Sequence, residues 1–316
     1  MIFGRGMMAL AALALYTASA DAQVIRQEII PFESAAASAA DVLNGAKGQK
    51  LTLAGFLRLP RADQKQPVVI LMPGAGAGIQ TRGQVDEWSR VLNEAGIATF
   101  TVDSFSARGI YTLADAIKLT PITRLPDAFG ARGALVKHPL IDAKRIAVMG
   151  FSHGATPALY TNLVRFQKQY SEAAFAAHVS VYGVCGVRLR NDERLASPLM
   201  MLHGAADNWV PAAPCREYAA RLKNAGREVR WVEYADAHHI FDAPVLAKIT
   251  QFPNVMTPAG CRLEESDSGV LVNAETKQPL TPSDSCWVKG ASAGYSEAAA
   301  KKAHEDVKAF LVEIFQ

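Results

Sequence analysis

The run Arg145-Ile146-Ala147-Val148-Met149-Gly150-Phe151-Ser152-His153-Gly154 constrains the fold of this chain more than any other stretch. Its apolar, β-type first half ends in Gly-x-Ser-x-Gly, and a small-residue, helix-forming segment from Ala155 to Arg165 follows at once. A strand that turns sharply into a helix at a serine brings the two elements so close that a Cβ at Gly150 or Gly154 would collide. The same turn strains the serine backbone and projects its hydroxyl above the sheet. A helix beginning at His153 points its unpaired N–H groups at that spot, where a tetrahedral oxyanion would gain from them. Ser152 is the candidate nucleophile; the competing reading is an ordinary tight turn.

The flanking sequence keeps one rhythm. Leu51 to Leu59 reads as a strand, and Pro67 to Met72 as a fully buried one because it is apolar without alternation. A helical pattern spans about Val85 to Ala95, a strand Ile97 to Val102, and a long helical segment about Arg124 to Lys137. Beyond the serine, strands are expected at Ala177 to Tyr182, Pro198 to Leu202 and Val229 to Tyr234, with a helix at Cys215 to Ala225 and a closing helix at Tyr295 to Phe315. Strands that alternate with crossover helices specify an α/β fold with a mostly parallel sheet, helices on both faces, and ligands at the carboxyl ends of the strands. Two stretches break the rhythm: residues 23–50, which read as irregular and alanine-rich, and an insertion at about 243–294 rich in Pro, Gly, Ser and Asp. The domain proper is expected over 51–316.

At 316 residues with 50% hydrophobic and 20% charged side chains, the chain can bury a substantial core. Its net charge of +3 is small, and no basic run interleaved with aromatics suggests nucleic acid. Residues 1–22 read as a secretory signal, with Arg5 in the n-region, Met7 to Tyr16 as a short apolar core, and Ala18-Ser19-Ala20 or Ala20-Asp21-Ala22 at the cleavage site. That core is too short to span a bilayer, so no stable membrane anchor is expected, and the product is periplasmic or secreted. In an oxidising compartment Cys185, Cys215, Cys261 and Cys286 can form two disulfides in three pairings, and Cys185 with Cys215 and Cys261 with Cys286 is the favoured set. A bridge between Cys261 and Cys286 would staple the insertion into an ordered unit.

A serine nucleophile needs a base, and the base an orienting acid, each on a loop after a later strand. The strand through Met200 and Met201 runs into His203-Gly204-Ala205-Ala206-Asp207, where Asp207 is the carboxylate. The next strand runs into Asp236-Ala237-His238-His239-Ile240-Phe241. His239 is the preferred base, with His238 as the alternative. Asp207 also suits a turn or helix cap beside Asn208 and Pro211. His203 reads as packing behind the strand end, and His138 and His178 as structural or solvated. The oxyanion donors expected are the N–H groups of His153 and of Ala75, in the Pro73-Gly74-Ala75 loop. Nothing in the spacing of His203, Asp207 and His239 selects a metal, and no cofactor is expected.

Taken together, Pro73-Gly74-Ala75-Gly76, the Asp103-Ser104-Phe105 and Arg108-Gly109 loop, Ile141-Asp142 with Arg145-Ile146, Gly150-Phe151-Ser152-His153-Gly154, Asp207 and His239-Ile240-Phe241 resemble the dienelactone hydrolase family of the α/β-hydrolase superfamily, from about Leu51 to the C-terminus. The resemblance implies an α/β-hydrolase fold and an acyl-enzyme route to ester or lactone hydrolysis. The chain departs from that family in carrying serine rather than cysteine as nucleophile, in its export signal and in its insertion. The substrate expected is a small ester or lactone, with Trp209, Phe105, Tyr182 and Phe241 as candidate pocket residues. Arg108 either binds a substrate carboxylate or closes a structural ion pair, the latter preferred. Rival readings are an exported serine peptidase of prolyl-oligopeptidase type, although no propeller-sized region precedes the hydrolase stretch, and a non-catalytic hydrolase-like binding protein. A dinucleotide site at Gly74, Gly76 and Gly78 fails on spacing, because Ile79 stands where the last glycine belongs. Sequence leaves the oligomeric state open.

Overall fold

In the computed structural model, which describes residues 26–61, 63–75, 79–171 and 173–316, one sheet carries the whole architecture. The chain enters through β1 (Arg26–Ala36), α1 (Ala39–Asn44) and β2 (Gln49–Leu59), then runs through β3 (Gln66–Met72), α2 (Ile79–Glu94) and β4 (Ala98–Asp103). Next come the short α3 (Leu113–Ala116), α4 (Leu125–Leu135) and β5 (Ile141–Phe151), followed by α5 (Ala155–Tyr160) and α6 (Val164–Tyr170). The second half supplies β6 (His178–Val181), β7 (Val187–Arg188), β8 (Leu199–Gly204), α7 (Ala212–Asn224) and β9 (Val229–Tyr234). The sheet has eight strands in the order β1-β2-β4-β3-β5-β6-β8-β9. From β4 to β9 every pairing is parallel, and β1 and β2 form an antiparallel edge.

The apolar runs of β3 and β5 are continuous because both of their faces are covered. Successive side chains of a strand point to opposite faces. Val68, Ile70, Met72, Ile146 and Val148 therefore join one core with residues of α4, α5 and α7. Val69, Leu71, Ala147, Met149 and Phe151 join the other with Trp88 of α2 and Phe310 and Leu311 of the last helix, α8 (Glu297–Phe315).

Two expectations require correction, and one lies outside the described residues. Residues 26–44, expected to be irregular, form β1 and α1; β1 escapes recognition because it is an edge strand with only Phe32 buried and with Pro31 inside it. The helix expected over Ala155 to Arg165 is broken: a 3-10 turn over Ser152–Gly154 leads into six residues of α5, and α6 starts anew at Val164. The buried Asn162 at the break accepts from the Ala196 and Ser197 backbone N–H groups and so ties it to the chain before β8. The signal expected over residues 1–22 lies outside the described residues.

The insertion is an ordered β unit. β10 (Thr250–Thr257) pairs antiparallel with β13 (Val288–Ala293), and the hairpin of β11 (Leu263–Glu265) and β12 (Leu271–Asn273) extends in parallel from β7. Cys261 is bonded to Cys286 within it, and Cys185 to Cys215 beneath it. The Glu265 side chain, fully shielded, is gripped by Arg165 of α6 and Arg190 after β7.

The turn after β5 is the tightest point. A Cβ at Gly150 would lie 2.0 Å from the Gly154 carbonyl oxygen, and one at Gly154 would lie 2.0 Å from that of Met72. Both obstacles are backbone, which cannot swing aside. By contrast, Gly133 is exposed inside α4, with nothing within 4 Å of its missing Cβ. Urea denaturation should therefore find Gly154→Ala destabilised by at least about 3 kcal/mol or unfolded, and Gly133→Ala stabilised by about 0.5–1 kcal/mol through helix propensity. Equal stability of the two variants would refute this account of the turn.

Candidate active site

Ser152 follows β5 directly and has a φ of 49°, a left-handed conformation that side chains rarely adopt outside glycine. The two glycines allow the chain to turn there, and the turn sets the serine hydroxyl at the carboxyl end of the sheet. Its Oγ lies 2.9 Å from His239 Nε2. His239 Nδ1 lies 2.7 Å from Asp207 Oδ2. Three residues separated by 87 and 32 positions, on the loops after β5, β8 and β9, thus form a single hydrogen-bonded chain. The structure brings His239, not His238, to the serine; His238 faces away, its Nδ1 2.9 Å from Ser292 Oγ.

Asp207 serves as both turn residue and imidazole partner, one role for each carboxylate oxygen. Oδ1 accepts from the backbone N–H groups of Trp209 and Val210, at 3.0 and 2.8 Å, which fixes the loop. Oδ2 faces His239 and, at 3.5 Å, His203 Nε2, which also lies 2.7 Å from the Val210 carbonyl oxygen. Burial, the largest influence, pushes the Asp207 carboxyl up. The combined opposing pull of His239 and His203 prevails and holds it well below the ordinary carboxylate range. The acid loop therefore keeps its negative charge.

The His239 imidazole is walled by aromatic rings. Trp209 stacks on it at 5.7 Å and Tyr182 meets it edge-on at 5.0 Å. Tyr182 has a φ of 42° and donates its hydroxyl to the buried Asp242, 2.8 Å away. Gln84 and Trp88 of α2 donate to the same carboxylate at 2.7 and 2.6 Å. Burial pushes the Asp242 carboxyl up, and these donors oppose it. Of the other candidate pocket residues, Phe241 is core beneath Tyr182 and Tyr234, and Phe105 is almost fully buried. Arg108 closes the preferred ion pair, bidentate on Asp127 at 3.0 and 2.8 Å.

The insertion reinforces the histidine loop. Ala293 bridges His239 in parallel, and the Gly294 N–H donates to the His239 carbonyl at 3.1 Å. Asn208 Oδ1 accepts from both the backbone N–H and the hydroxyl of Ser292. Phe252 packs edge-on against Trp209.

On the other side of the serine, a Cβ at Gly74 would lie 3.3 Å from the Phe151 carbonyl oxygen and 3.6 Å from Ser152 Cβ, so the Pro73-Gly74-Ala75 loop runs beside the hydroxyl. The His153 imidazole is buried, with Nε2 2.6 Å from the Leu119 carbonyl and Nδ1 2.9 Å from Arg124 Nη1. A guanidinium only donates, so Nδ1 accepts, and the ring proton sits on Nε2. Burial, with the Arg124 charge adding to it and the Leu119 carbonyl opposing, lowers this imidazole to about 3. Sequence reading assigned no role to Arg124 or Asp242: Arg124 stands at the start of a segment read as a helix, between Thr123 and Leu125, and Asp242 between Phe241 and Ala243, and neither setting signals a buried charge. Among the described residues no group of three or more His, Cys, Asp or Glu is arranged to hold a metal ion, and no helix is long and apolar enough to cross a membrane.

A mostly parallel sheet flanked by helices, with serine, acid and histidine on the loops after β5, β8 and β9, defines an α/β-hydrolase fold. The dienelactone hydrolase family model matches residues 53–315, and the chain belongs to that family; it is a hydrolase. It is 25% identical over 203 residues to a Bradyrhizobium protein named probable 2-oxo-3-(5-oxofuran-2-ylidene)propanoate lactonase, covering 59% of this chain and 77% of that one. Among solved structures, a dienelactone hydrolase-like promiscuous phosphotriesterase from metagenomic libraries superposes with a TM-score of 0.59 at 14% identity, over 92% of this chain and 99% of the other. An acylaminoacyl peptidase of Pyrococcus horikoshii superposes with a TM-score of 0.51 at 16% identity, over 68% of this chain but 38% of its own. These two likenesses are of fold.

The buried histidines set an acid limit. Burial also lowers His178 to about 3. Both His153 and His178 stay neutral in the folded chain, whereas unfolding lets them take up protons below their ordinary value of about 6.5. Stability is therefore full above that value and falls as pH drops toward 3, by about 1.4 kcal/mol per pH unit for each ring. Urea midpoints measured from pH 6 to pH 4 should show this slope, and His178→Gln should flatten it by one ring's share. An unchanged slope in that variant would refute the assignment.

Proposed function

We propose that this protein is an exported serine hydrolase that cleaves carboxylic esters, lactones included, through an acyl-enzyme. The single observation that carries the reading is the contact chain from Ser152 Oγ to His239 Nε2 and from His239 Nδ1 to Asp207, with the serine in the left-handed turn. In this reading His239 takes the Ser152 proton as the oxygen attacks the ester carbonyl, and the N–H groups of His153 and Ala75 receive the oxyanion. His239 then protonates the leaving alcohol and activates the water that releases the acid. Asp207, kept ionised, holds the imidazole with its proton on Nδ1 and stabilises the imidazolium that forms. This chemistry calls on no cofactor.

The lactonase name borne by the Bradyrhizobium relative favours small esters and lactones as substrates. Trp209 and Phe252, at the junction of the acid loop and the insertion, are the side chains proposed to meet the substrate's apolar part. The reading as a peptidase rests on the acylaminoacyl peptidase likeness, which covers 38% of that protein. Export is supported by the two disulfides.

A fluorophosphonate probe followed by mass spectrometry tests the assignment. Labelling is expected at Ser152, abolished in His239→Ala and retained in His238→Ala. Ser152→Ala should lower turnover of p-nitrophenyl esters by about 10⁴-fold or more with folding intact. No labelling of the folded protein would leave the non-catalytic binding reading in its place.

A further inference from the structure

Arg124 is fully buried, yet no carboxylate pairs with it among the described residues. The nearby Asp127 is engaged bidentately by Arg108. Among the described residues Nε and Nη2 of Arg124 have no partner, and the guanidinium lies 4.6 Å from the centre of the Phe105 ring. Burying a charge without a counterion is costly. Its remaining group, Nη1, makes two contacts: it donates to the Pro73 carbonyl at 3.0 Å and to His153 Nδ1 at 2.9 Å.

Those contacts fall on two different segments. Pro73 lies two residues before Ala75, at the end of β3; His153 follows Ser152, at the end of β5. They are the segments whose N–H groups the proposed mechanism assigns to the oxyanion. Resting on that reading, we propose that Arg124 is a positioning residue for the oxyanion hole, its guanidinium clasping both donor-bearing segments at a fixed separation and adding a positive charge behind them. Oxyanion donors act by being held in place before the charge develops. A small misplacement of either amide is felt in the transition state more than in the bound ester. The Leu119 carbonyl grips the far nitrogen of the same imidazole, so the segment from Leu119 to Arg124 holds His153 at both ring nitrogens.

Two variants test this: Arg124→Met, which keeps the bulk without charge or donors, and Arg124→Lys, which keeps the charge. With a p-nitrophenyl ester, Arg124→Met should lose on the order of 10²-fold in kcat while KM changes by less than about 3-fold. Arg124→Lys should recover at least about 10-fold of that loss, since it restores the charge and one donor. A folded Arg124→Met protein with kcat within about 2-fold of the parent, or a loss carried by KM, would overturn the proposal. So would a Lys variant that folds and is as slow as the Met variant.

A second readout needs no turnover. Nitrogen NMR of the His153 ring should show the parent locked with its proton on Nε2 and neutral to below pH 4, the Met variant released from that state and protonating at higher pH, and the Lys variant between the two. An unchanged His153 signal would overturn the clasp. A parent that hydrolyses no ester but shows the locked ring would instead count against the hydrolase reading alone.

Discussion

Everything at the candidate site depends on one close approach of backbone to backbone. The Met72 carbonyl occupies the space where a side chain on Gly154 would begin, and the Gly154 carbonyl does the same to Gly150. With β3 and β5 paired in parallel through Met72 and Gly150, the turn after β5 has one way out of the sheet, and Ser152 takes up its left-handed backbone there. The strain is local, and it is held by the continuous apolar packing of β3 and β5 on both faces. A loosely packed sheet would relax the turn and lose the hydroxyl's position.

The same parallel sheet explains why distant residues meet. Because β5, β6, β8 and β9 run alike, their carboxyl ends and the loops beyond them lie along one edge. Asp207 and His239 need only short loops to reach Ser152. The insertion lies against those loops: Ser292 tethers Asn208, Gly294 tethers the His239 carbonyl, and Phe252 backs Trp209. With both ends bound to the histidine loop and its middle stapled by Cys261 and Cys286, it reads as a buttress of that loop.

The elements legible in the sequence were those whose pattern carries a physical signature. Continuous apolar runs marked β3 and β5 because both faces are buried, and glycine spacing marked the turn because no other residue fits. Asp207 and His239 followed from their places just after strands. The edge strand β1 left no such signature, being mostly exposed with a proline inside it, and neither did the break between α5 and α6, which depends on Asn162 reaching the chain before β8. Choosing between His238 and His239 also required three dimensions, since adjacent residues on a turn point apart and each found a partner of its own. Arg124 and Asp242 were hidden because their partners are distant in sequence, 29 and 51 residues away for Arg124 and 60 to 158 for Asp242.

Those buried charges reveal how the site is polarised. Three buried ionisable groups flank the site, and each is handled differently. Asp207 is kept ionised by two histidines and two backbone N–H groups. Asp242, behind Tyr182, has three side-chain donors and no ion pair with Lys or Arg among the described residues, and burial works against its charge. Burial also works against Arg124, lowering it to about 10, which leaves the guanidinium charged at neutral pH. In the acyl transfer from serine proposed above, positive charge grows on the imidazole and negative charge on the carbonyl oxygen. A fixed anion touching His239 and a fixed cation touching His153 and Pro73 match that separation before any substrate arrives. In a site shielded from water such fixed charges act with little screening, and no reorganisation is needed when the reaction begins. The packing that strains Ser152 and the packing that buries these charges are the same sheet and helices, so the stability of the fold and the polarity of its site rest on a single set of contacts.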